Sequence, residues 1–273
     1  MKKTTRLLFG LVIWLLALIY VTPLYLVVAN SLKTYEQVTL DTAGLPNPVM
    51  FSNFATVWDQ IGYGHAFKNT FIITAGSIAG IIIICSMGAY MLRRRFRSLS
   101  RIIYFAIVIM MIVPFQAQMI PLVKTASKFH LTNSLPGEIL IYIGCGIPFA
   151  LFLYNGFLEN FPTELEEAAM IDGCGTYGVF FRIVFPLLKP ITTTIAILDM
   201  MWIWNDFLLP LITMSNVGKR TLTLSYYFYF GEYVNQWHLA LAALLMSIIP
   251  AIIFYFFGQK YIVEGVAAGA VKG

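Results

Sequence analysis

The sequence predicts an all-α membrane protein with six transmembrane helices. Of its 273 residues, 59% are hydrophobic and 11% are charged, whereas soluble domains carry roughly 25% charged residues. A soluble fold could not hide this much apolar surface, so much of it must face lipid. The apolar residues also form six long runs with Lys and Arg clustered at their ends, a pattern typical of membrane topology and not of a nucleic-acid-binding patch.

Each of the six runs reaches the length of about 20 residues that a helix needs to cross the hydrocarbon core. The first run is longer than a signal-peptide core and no small-x-small cleavage site follows it, so we interpret it as a retained span. The fourth run is interrupted by two glycines and Pro148, and the fifth by Asn205 and Asp206, which is tolerated where a helix faces other helices or water. The predicted spans are 7–29, 69–92, 102–124, 136–158, 190–213 and 238–258.

The positions of Lys and Arg predict that both termini lie in the cytoplasm. With the N-terminus inside, twelve of the eighteen basic residues fall in cytoplasmic segments. Five arginines between Arg93 and Arg101 contribute most, because a short loop this basic resists translocation; we interpret them as a topology determinant. This topology predicts a long external loop at 30–68, a long cytoplasmic loop at 159–189 and a cytoplasmic tail at 259–273.

The cytoplasmic loop contains a predicted short helix from Glu164 to Asp172. Thr163, followed three residues later by Glu166, fits a capping box. Acidic residues in the first turn suit the positive end of the helix dipole. Gly173 is a natural terminator, because glycine readily adopts the left-handed conformation that ends many helices.

One side of this predicted helix is apolar, since Leu165, Ala168 and Ile171 recur at helical spacing. A short helix that projects into the cytoplasm with a low apolar face is suited to docking in a partner's groove. The alternative is an amphipathic helix lying on the bilayer. Its acidic polar side fits that alternative poorly, because the inner leaflet is itself anionic.

The same loop carries Glu167-Ala168-Ala169, Gly173, Ile183 and Pro186 as one spaced set. This set resembles the signature of ABC importer permeases. The family pattern is Glu-Ala-Ala, three residues, Gly, nine residues, Ile, two residues and Pro, and every spacing is kept here. A lone Glu-Ala-Ala is common by chance, whereas the whole spaced set is specific. The matching residues are Glu167, Ala168, Ala169, Gly173, Ile183 and Pro186, with Asp172 directly before the glycine.

Two further stretches resemble the carbohydrate-uptake branch of this family, which imports oligosaccharides and includes the maltose type. Trp204-Asn205-Asp206-Phe207 is similar to the family's Trp-Asn-acidic-Phe stretch. The segment from Gly258 to the C-terminus is similar to the branch's tail, although Glu264 stands where such tails usually carry Arg. The resemblance covers essentially the whole chain and implies the type I ABC importer permease fold. It also implies that the tail contacts the ATPase pair through Gly265, Gly269 and Lys272.

The resemblance implies one half of the channel in an ATP-driven sugar importer of the bacterial plasma membrane. No G-x-x-x-x-G-K-[ST] loop occurs in the chain, so we expect it to be non-catalytic and to bind no cofactor. ATP and Mg would bind to two copies of a separate ATPase. The other expected partners are a homologous second permease, or a second copy of this chain, and an extracytoplasmic sugar-binding protein; no nucleic acid is expected.

In the mechanism that the resemblance implies, the short helix sits in a cleft of the ATPase and moves with it. Glu167 is the expected polar anchor, and Ala168 and Ala169 the close-packed surface. Pro186 and Pro190 are expected to transmit the motion into the fifth span.

Polar and aromatic residues of the fifth span are the candidates for the solute path or a gate, because polar side chains inside a membrane usually face the bundle interior. Trp204, Asn205 and Asp206 are the first candidates, and Asp199 is a weaker one. The alternatives are a helix–helix hydrogen bond for the polar residues and packing for the tryptophan.

Three other classes of membrane protein are considered. An ABC permease for amino acids or phosphate would share the loop signature but not the tail. An ion-coupled secondary transporter favours paired broken helices in two related halves, and the sequence has no internal repeat. An intramembrane enzyme requires a catalytic pair or an H-E-x-x-H site; that motif is absent and the three histidines lie near predicted span ends.

Overall fold

In the computed structural model, the chain is built of helices. The structure describes residues 3–94, 99–159, 161–227, 229 and 236–270, and every regular element within these ranges is helical, as predicted. The helices are α1 (Lys3–Ser31), α2 (Tyr35–Leu40), α3 (Ser52–Gln60), α4 (Tyr63–Arg94), α5 (Leu99–Val108), α6 (Phe115–Lys128), α7 (Leu135–Glu159), α8 (Glu164–Ile171), α9 (Thr176–Val179), α10 (Phe185–Leu187), α11 (Lys189–Asn205), α12 (Leu208–Thr213), α13 (Leu222–Tyr227) and α14 (Trp237–Ala270).

Four helices are long and apolar enough to cross a membrane: α4, α7, the Phe9–Ser31 part of α1 and the Trp237–Phe256 part of α14. Two further candidates are bent pairs of helices. Ser100–Ile112 meets α6 at an angle of 111°, and Thr176–Leu187 meets α11 at 70°. Within the described residues, the number of candidate spans is therefore four, or six if each bent pair is one span.

The predicted third span, 102–124, is not a straight helix. After α5 the chain forms a 3-10 turn at Ile109–Ile112, and Val113 is then extended with a ψ of 118°. Pro114 follows and stands at the start of α6. A proline ring disfavours the helical conformation of the residue before it and supplies no N–H, so the bend falls here.

The predicted fifth span, 190–213, is also divided. α11 ends at Asn205, and Asp206 is extended with φ −70° and ψ 131°. The Asp206 carboxylate accepts the backbone N–H groups of Leu208 at 2.9 Å and Leu209 at 3.5 Å. It therefore caps α12, and this local bonding competes with continuation of α11.

The predicted fourth span is one continuous helix, because α7 runs unbroken through Pro148 and the two glycines before it. One of these glycines, Gly146, allows close packing against α4, and Gly80 of α4 does the same from the other side. A Cβ on Gly146 would lie 2.5 Å from Cδ1 of Ile81, and a Cβ on Gly80 would lie 2.3 Å from Cδ1 of Ile143. Small residues at such positions let two membrane helices approach closely.

The chain divides into two compact units. The first comprises Met1–Ala66 with Leu222–Pro250, and the second comprises Phe67–Thr221 with Ala251–Gly273. In the first unit, the loop that the sequence predicts to be external is folded and buries Lys33, whose ammonium donates to the carbonyl oxygen of Asp41 at 2.6 Å. A separate core in this unit consists of Val57, Tyr229, Leu239, Ala240, Ala242 and Ala243.

In the second unit, polar contacts bring three separate connections together. Oδ1 of Asn133, which follows α6, accepts the backbone N–H of Ser215 at 2.7 Å. Asn69, near the start of α4, donates to the carbonyl oxygens of Gly218 and Arg220, both at 3.1 Å. The first turns of α4, the α6–α7 connection and the segment after α12 therefore lie on one side of this unit.

Candidate coupling site and solute path

α8 is the short helix that the sequence predicts in the cytoplasmic loop, and it ends as predicted. Gly173 has a φ of +86°, in the left-handed region where glycine carries no steric cost. A Cβ at this position would meet no atom within 4 Å. The backbone conformation, and not crowding, is therefore what requires glycine here.

The predicted capping box at the start of α8 is wrong. Thr163 is helical, with φ −73° and ψ −22°, and its side chain makes no capping hydrogen bond. Glu166, expected to reach back to Thr163, is only 3% exposed and bonds to α4 instead. The physical reason is that a guanidinium is a stronger partner for a carboxylate than a neutral backbone N–H.

Arg94, in the last turn of α4, holds the Glu166 carboxylate. Its Nε donates to Oε1 at 2.9 Å, and its Nη2 donates to the same oxygen at 2.6 Å. The hydroxyl of Tyr90, one turn earlier, donates to Oε2 at 3.0 Å. The arginine cluster, interpreted above only as a topology determinant, thus also supplies a structural contact. No sequence spacing signals it, since 72 residues separate the partners.

The opposite side of α8 is exposed and apolar. Leu165 is 46% exposed and Ile171 is 86% exposed, with the exposed Ala168 between them. Glu167 is exposed beside this face, whereas Ala169 lies on the buried side with Glu166. The predicted apolar stripe therefore exists and faces away from the rest of the chain.

From Thr176 to α11 the chain is helical with one sharp bend. Ile183 is half-buried in a π-helical turn, Phe180–Val184, and Pro186 follows in α10. Pro190 lies in the first turn of α11. The 70° bend falls between the two prolines, at the fully buried Leu188.

A cavity of about 720 Å³ lies in the second unit, between the first bent pair and α7, with Trp202 of α11 in its wall. The Trp202 side chain is 40% exposed and meets the ring of Tyr142 edge-on, with 5.6 Å between ring centroids. Most of the wall is apolar. The residues of the wall that can form hydrogen bonds include Gln118, Thr125, Cys145 and Trp202.

The residues that line this cavity do not include the leading sequence candidates for the solute path, Trp204, Asn205 and Asp206. Trp204 is buried and packs edge-on against two phenylalanine rings, with centroids 5.6 and 5.8 Å away. Asn205 is exposed and donates to the carbonyl oxygen one turn earlier at 2.7 Å. Asp206, besides capping α12, accepts the hydroxyl of Tyr142 at 3.1 Å. The path or gate role of these residues stays a prediction.

Besides Glu166, the described residues of the second unit contain two buried carboxylates. Glu138 accepts the hydroxyl of Thr213 at 2.8 Å, and no feature of the sequence sets this glutamate apart. Asp199, the weaker sequence candidate, is buried in α11. Among the described residues, Oε1 of Glu138 and Oδ2 of Asp199 have no hydrogen-bond partner. The same residues contain no group of three or more His, Cys, Asp or Glu side chains placed to hold a metal ion.

The predicted cytoplasmic tail is in part a continuation of the last helix. α14 extends to Ala270 and includes Gly265 and Gly269. Lys272 lies outside the described residues. The contact of these three residues with an ATPase stays a prediction.

Comparison with known proteins identifies the family. Residues 72–267 match the model of the family described as "Binding-protein-dependent transport system inner membrane component". The chain is 45% identical over 258 residues to a probable starch degradation products transport system permease protein of Thermoanaerobacterium thermosulfurigenes, covering 94% of this chain and 93% of the relative. It is 37% identical over 252 residues to the melibiose/raffinose/stachyose import permease protein of Bacillus subtilis, with coverages of 92% and 91%.

A solved structure supports the same fold. One chain of a bacterial ABC transporter involved in the import of the acidic polysaccharide alginate superimposes with a TM-score of 0.81 at 24% identity, covering 96% of this chain and 98% of that one. The fold is therefore that of an ABC importer permease. Because the family model spans most of the chain and includes the loop signature, this multi-pass membrane protein belongs to the family of binding-protein-dependent transport system inner membrane components.

Proposed function

We propose that this chain is a permease subunit of an ATP-driven oligosaccharide importer in the bacterial plasma membrane. It forms half of the translocation path and takes its energy from separate ATPase subunits. The observation that carries the proposal is α8, a short exposed helix with an outward apolar face at the position of the family signature. The relatives named for starch degradation products and for melibiose, raffinose and stachyose support the substrate class.

α8 is the proposed contact with the ATPase. Leu165, Ala168 and Ile171 form the apolar face that enters the ATPase cleft, and Glu167 is the polar anchor at its edge. Because Glu166 is bonded to α4, the helix is already oriented before it meets a partner, which lowers the cost of docking. When the ATPases close on ATP, α8 moves with them and the spans alternate between inward-open and outward-open arrangements.

ATP and Mg bind to two ATPase copies in this proposal, and the chain itself is non-catalytic and binds no cofactor. A homologous permease completes the channel, and an extracytoplasmic sugar-binding protein delivers the substrate. The family's dependence on a binding protein supports the second of these partners. The C-terminal segment with Gly265, Gly269 and Lys272 is a second proposed contact with the ATPase pair.

The proposed topology has six spans and cytoplasmic termini, with each bent pair counted as one span. The polar contacts of the second unit support it. They group the first turns of α4 with the connections after α6 and α12, all of which this topology places outside. The contact between Arg94 and Glu166 joins the end of α4 to the loop after α7, both of which it places inside.

The cavity beside Trp202 is the proposed part of the solute path. Its volume of about 720 Å³ lies in the usual range of small-ligand sites, roughly 300–1,000 Å³. Trp202 offers an aromatic face for the apolar side of a sugar ring, and Gln118 and Thr125 can bond to hydroxyl groups. Asn205 and Asp206 remain candidates for a gate between the two permeases.

Affinity purification from the native membrane, followed by reconstitution, tests the proposal. We expect a P-loop ATPase and a second permease to co-purify, and ATP inside proteoliposomes to drive uptake of an oligosaccharide when the binding protein is added. Recovery of the chain without an ATPase contradicts the proposal.

Two alternatives give different results in the same experiment. ATP-driven uptake of an amino acid or phosphate, with no sugar transported, identifies an ABC permease for another solute. Uptake that follows an ion gradient and does not require ATP identifies a secondary transporter.

A further inference from the structure

The loop between α7 and α11 contacts α4 at a buried charge pair. Nη2 of Arg94 lies 2.6 Å from Oε1 of Glu166, and their side chains are 21% and 4% exposed. The same Arg94 nitrogen lies 3.5 Å from the carbonyl oxygen of Phe161, which precedes α8. Arg94 therefore binds both the connection into α8 and the helix itself.

Tyr90 adds a second attachment on the same side of α4. Its hydroxyl donates to the other Glu166 oxygen, so both carboxylate oxygens are bonded. Its ring meets that of the buried Phe180, which follows α9, with 5.4 Å between centroids. The last two turns of α4 thus hold the cytoplasmic loop at α8 and again after α9.

We propose that Tyr90, Arg94 and Glu166 form a clamp that transmits the motion of α8 directly into α4. The inference rests on the proposed function and deepens it. The segment after Gly173, which contains Pro186, connects α8 covalently to α11. Through the clamp, the ATPase moves a second membrane helix, α4, as well. Arg94 and Tyr90 are positioning residues in this proposal, because they act through Glu166 and touch neither ATP nor solute.

The strength of the clamp follows from its burial. A buried charge whose partner is removed is left uncompensated, which is strongly unfavourable. The chain offers a matched contrast one residue away, since Arg93 lies 3.8 Å from Glu159 and their side chains are 35% and 49% exposed. Exposed pairs of this kind contribute little.

The test is made on the complete importer in proteoliposomes, with ATP hydrolysis and sugar uptake measured on the same sample. The wild-type complex is measured first, because absence of ATP-driven uptake there refutes the proposed function and not the clamp. For Arg94→Met and Glu166→Gln, we expect the ATP hydrolysed per sugar imported to rise roughly tenfold, within the usual range of coupling between sites. Arg93→Met and Glu159→Gln, the two members of the exposed pair, are the controls and are expected to stay within about twofold of wild type.

Two further variants separate coupling from folding. Tyr90→Phe removes one hydrogen bond without a charge and is expected to raise the same ratio by a smaller factor. Exchange of the charges, Arg94→Glu with Glu166→Arg, is expected to restore part of the coupling that the single changes remove. If the clamp residues only stabilise the fold, their substitution lowers ATP hydrolysis and sugar uptake together and leaves the ratio of the two unchanged.

Spin labels on Met170→Cys in α8, which is exposed but not part of the apolar docking face, and on Ile83→Cys in α4 measure the clamp directly once the three native cysteines are replaced. In the wild type we expect one distance between the labels that is the same with and without trapped ATP. In Arg94→Met we expect that distance to change when ATP is trapped. An unchanged ratio in all clamp variants, or a label distance insensitive to Arg94→Met, overturns the proposal.

Discussion

Gly173 and Gly175 lie two residues apart in the loop after α8, yet only Gly173 has a positive φ, +86°. Gly175 is extended, with φ −70° and ψ 166°, a conformation open to any residue. A Cβ at either position would meet no atom within 4 Å. The two glycines therefore differ in backbone conformation and not in the space around them.

This difference predicts the effects of matched substitutions. Gly173→Val places a β-branched residue in the left-handed region at a cost of about 1–2 kcal/mol, so we expect α8 to lose its end and uptake to be uncoupled from ATP hydrolysis while the protein stays in the membrane. Gly175→Val is expected to transport normally. Both variants are measured by ATP-driven sugar uptake. Normal uptake by Gly173→Val shows that the left-handed residue at the end of α8 is not needed for coupling.

At the scale of elements, the packing of α4 on α7 depends on glycines that the sequence analysis did not use. Gly76 and Gly80 are spaced as in a G-x-x-x-G motif, and a Cβ on either would lie within 3 Å of an isoleucine Cδ1 of α7, at Ile139 and Ile143 respectively. This spacing is a known signal for close helix packing in membranes. It could therefore have been recognised from the sequence.

Overpacking at this contact gives a second prediction. Gly80→Leu is expected to lower the stability of the purified chain in detergent by about 1–3 kcal/mol, the usual cost of inserting a side chain into a packed site. Adding Ile143→Ala is expected to recover part of the loss, because it removes the atoms that the new side chain meets. Gly156→Leu, where a Cβ meets no atom within 4 Å, is the control. Equal melting temperatures for Gly80→Leu and Gly156→Leu contradict the packing.

At the scale of the whole molecule, topology is the property on which the mechanism depends. The proposal places α8 in the cytoplasm and the folded loop that carries α2 and α3 outside. Each segment has an exposed residue that can be labelled: Phe51, 72% exposed, in the loop, and Glu164 in α8.

Labelling of single cysteines tests this topology in intact cells. In a chain whose native cysteines are replaced, we expect a membrane-impermeant maleimide to label Phe51→Cys in intact cells. Glu164→Cys is expected to react only after the cells are permeabilised. The cysteine-free chain is the background control. Labelling of Glu164→Cys in intact cells contradicts the proposed topology.

The sequence by itself determined the class of this protein, the place of α8, the positive φ of Gly173 and the family. These features depend on local composition, helical spacing and a motif contained in one loop. Tertiary structure decided the partner of Glu166 and which tryptophan faces the cavity, whereas the bends at Pro114 and Asp206 have local causes in the proline ring and in the capping carboxylate. The reason is physical: a charge-assisted bond to Arg94, 72 residues away, prevails over the local cap that the sequence favoured, and only the folded chain brings the two together.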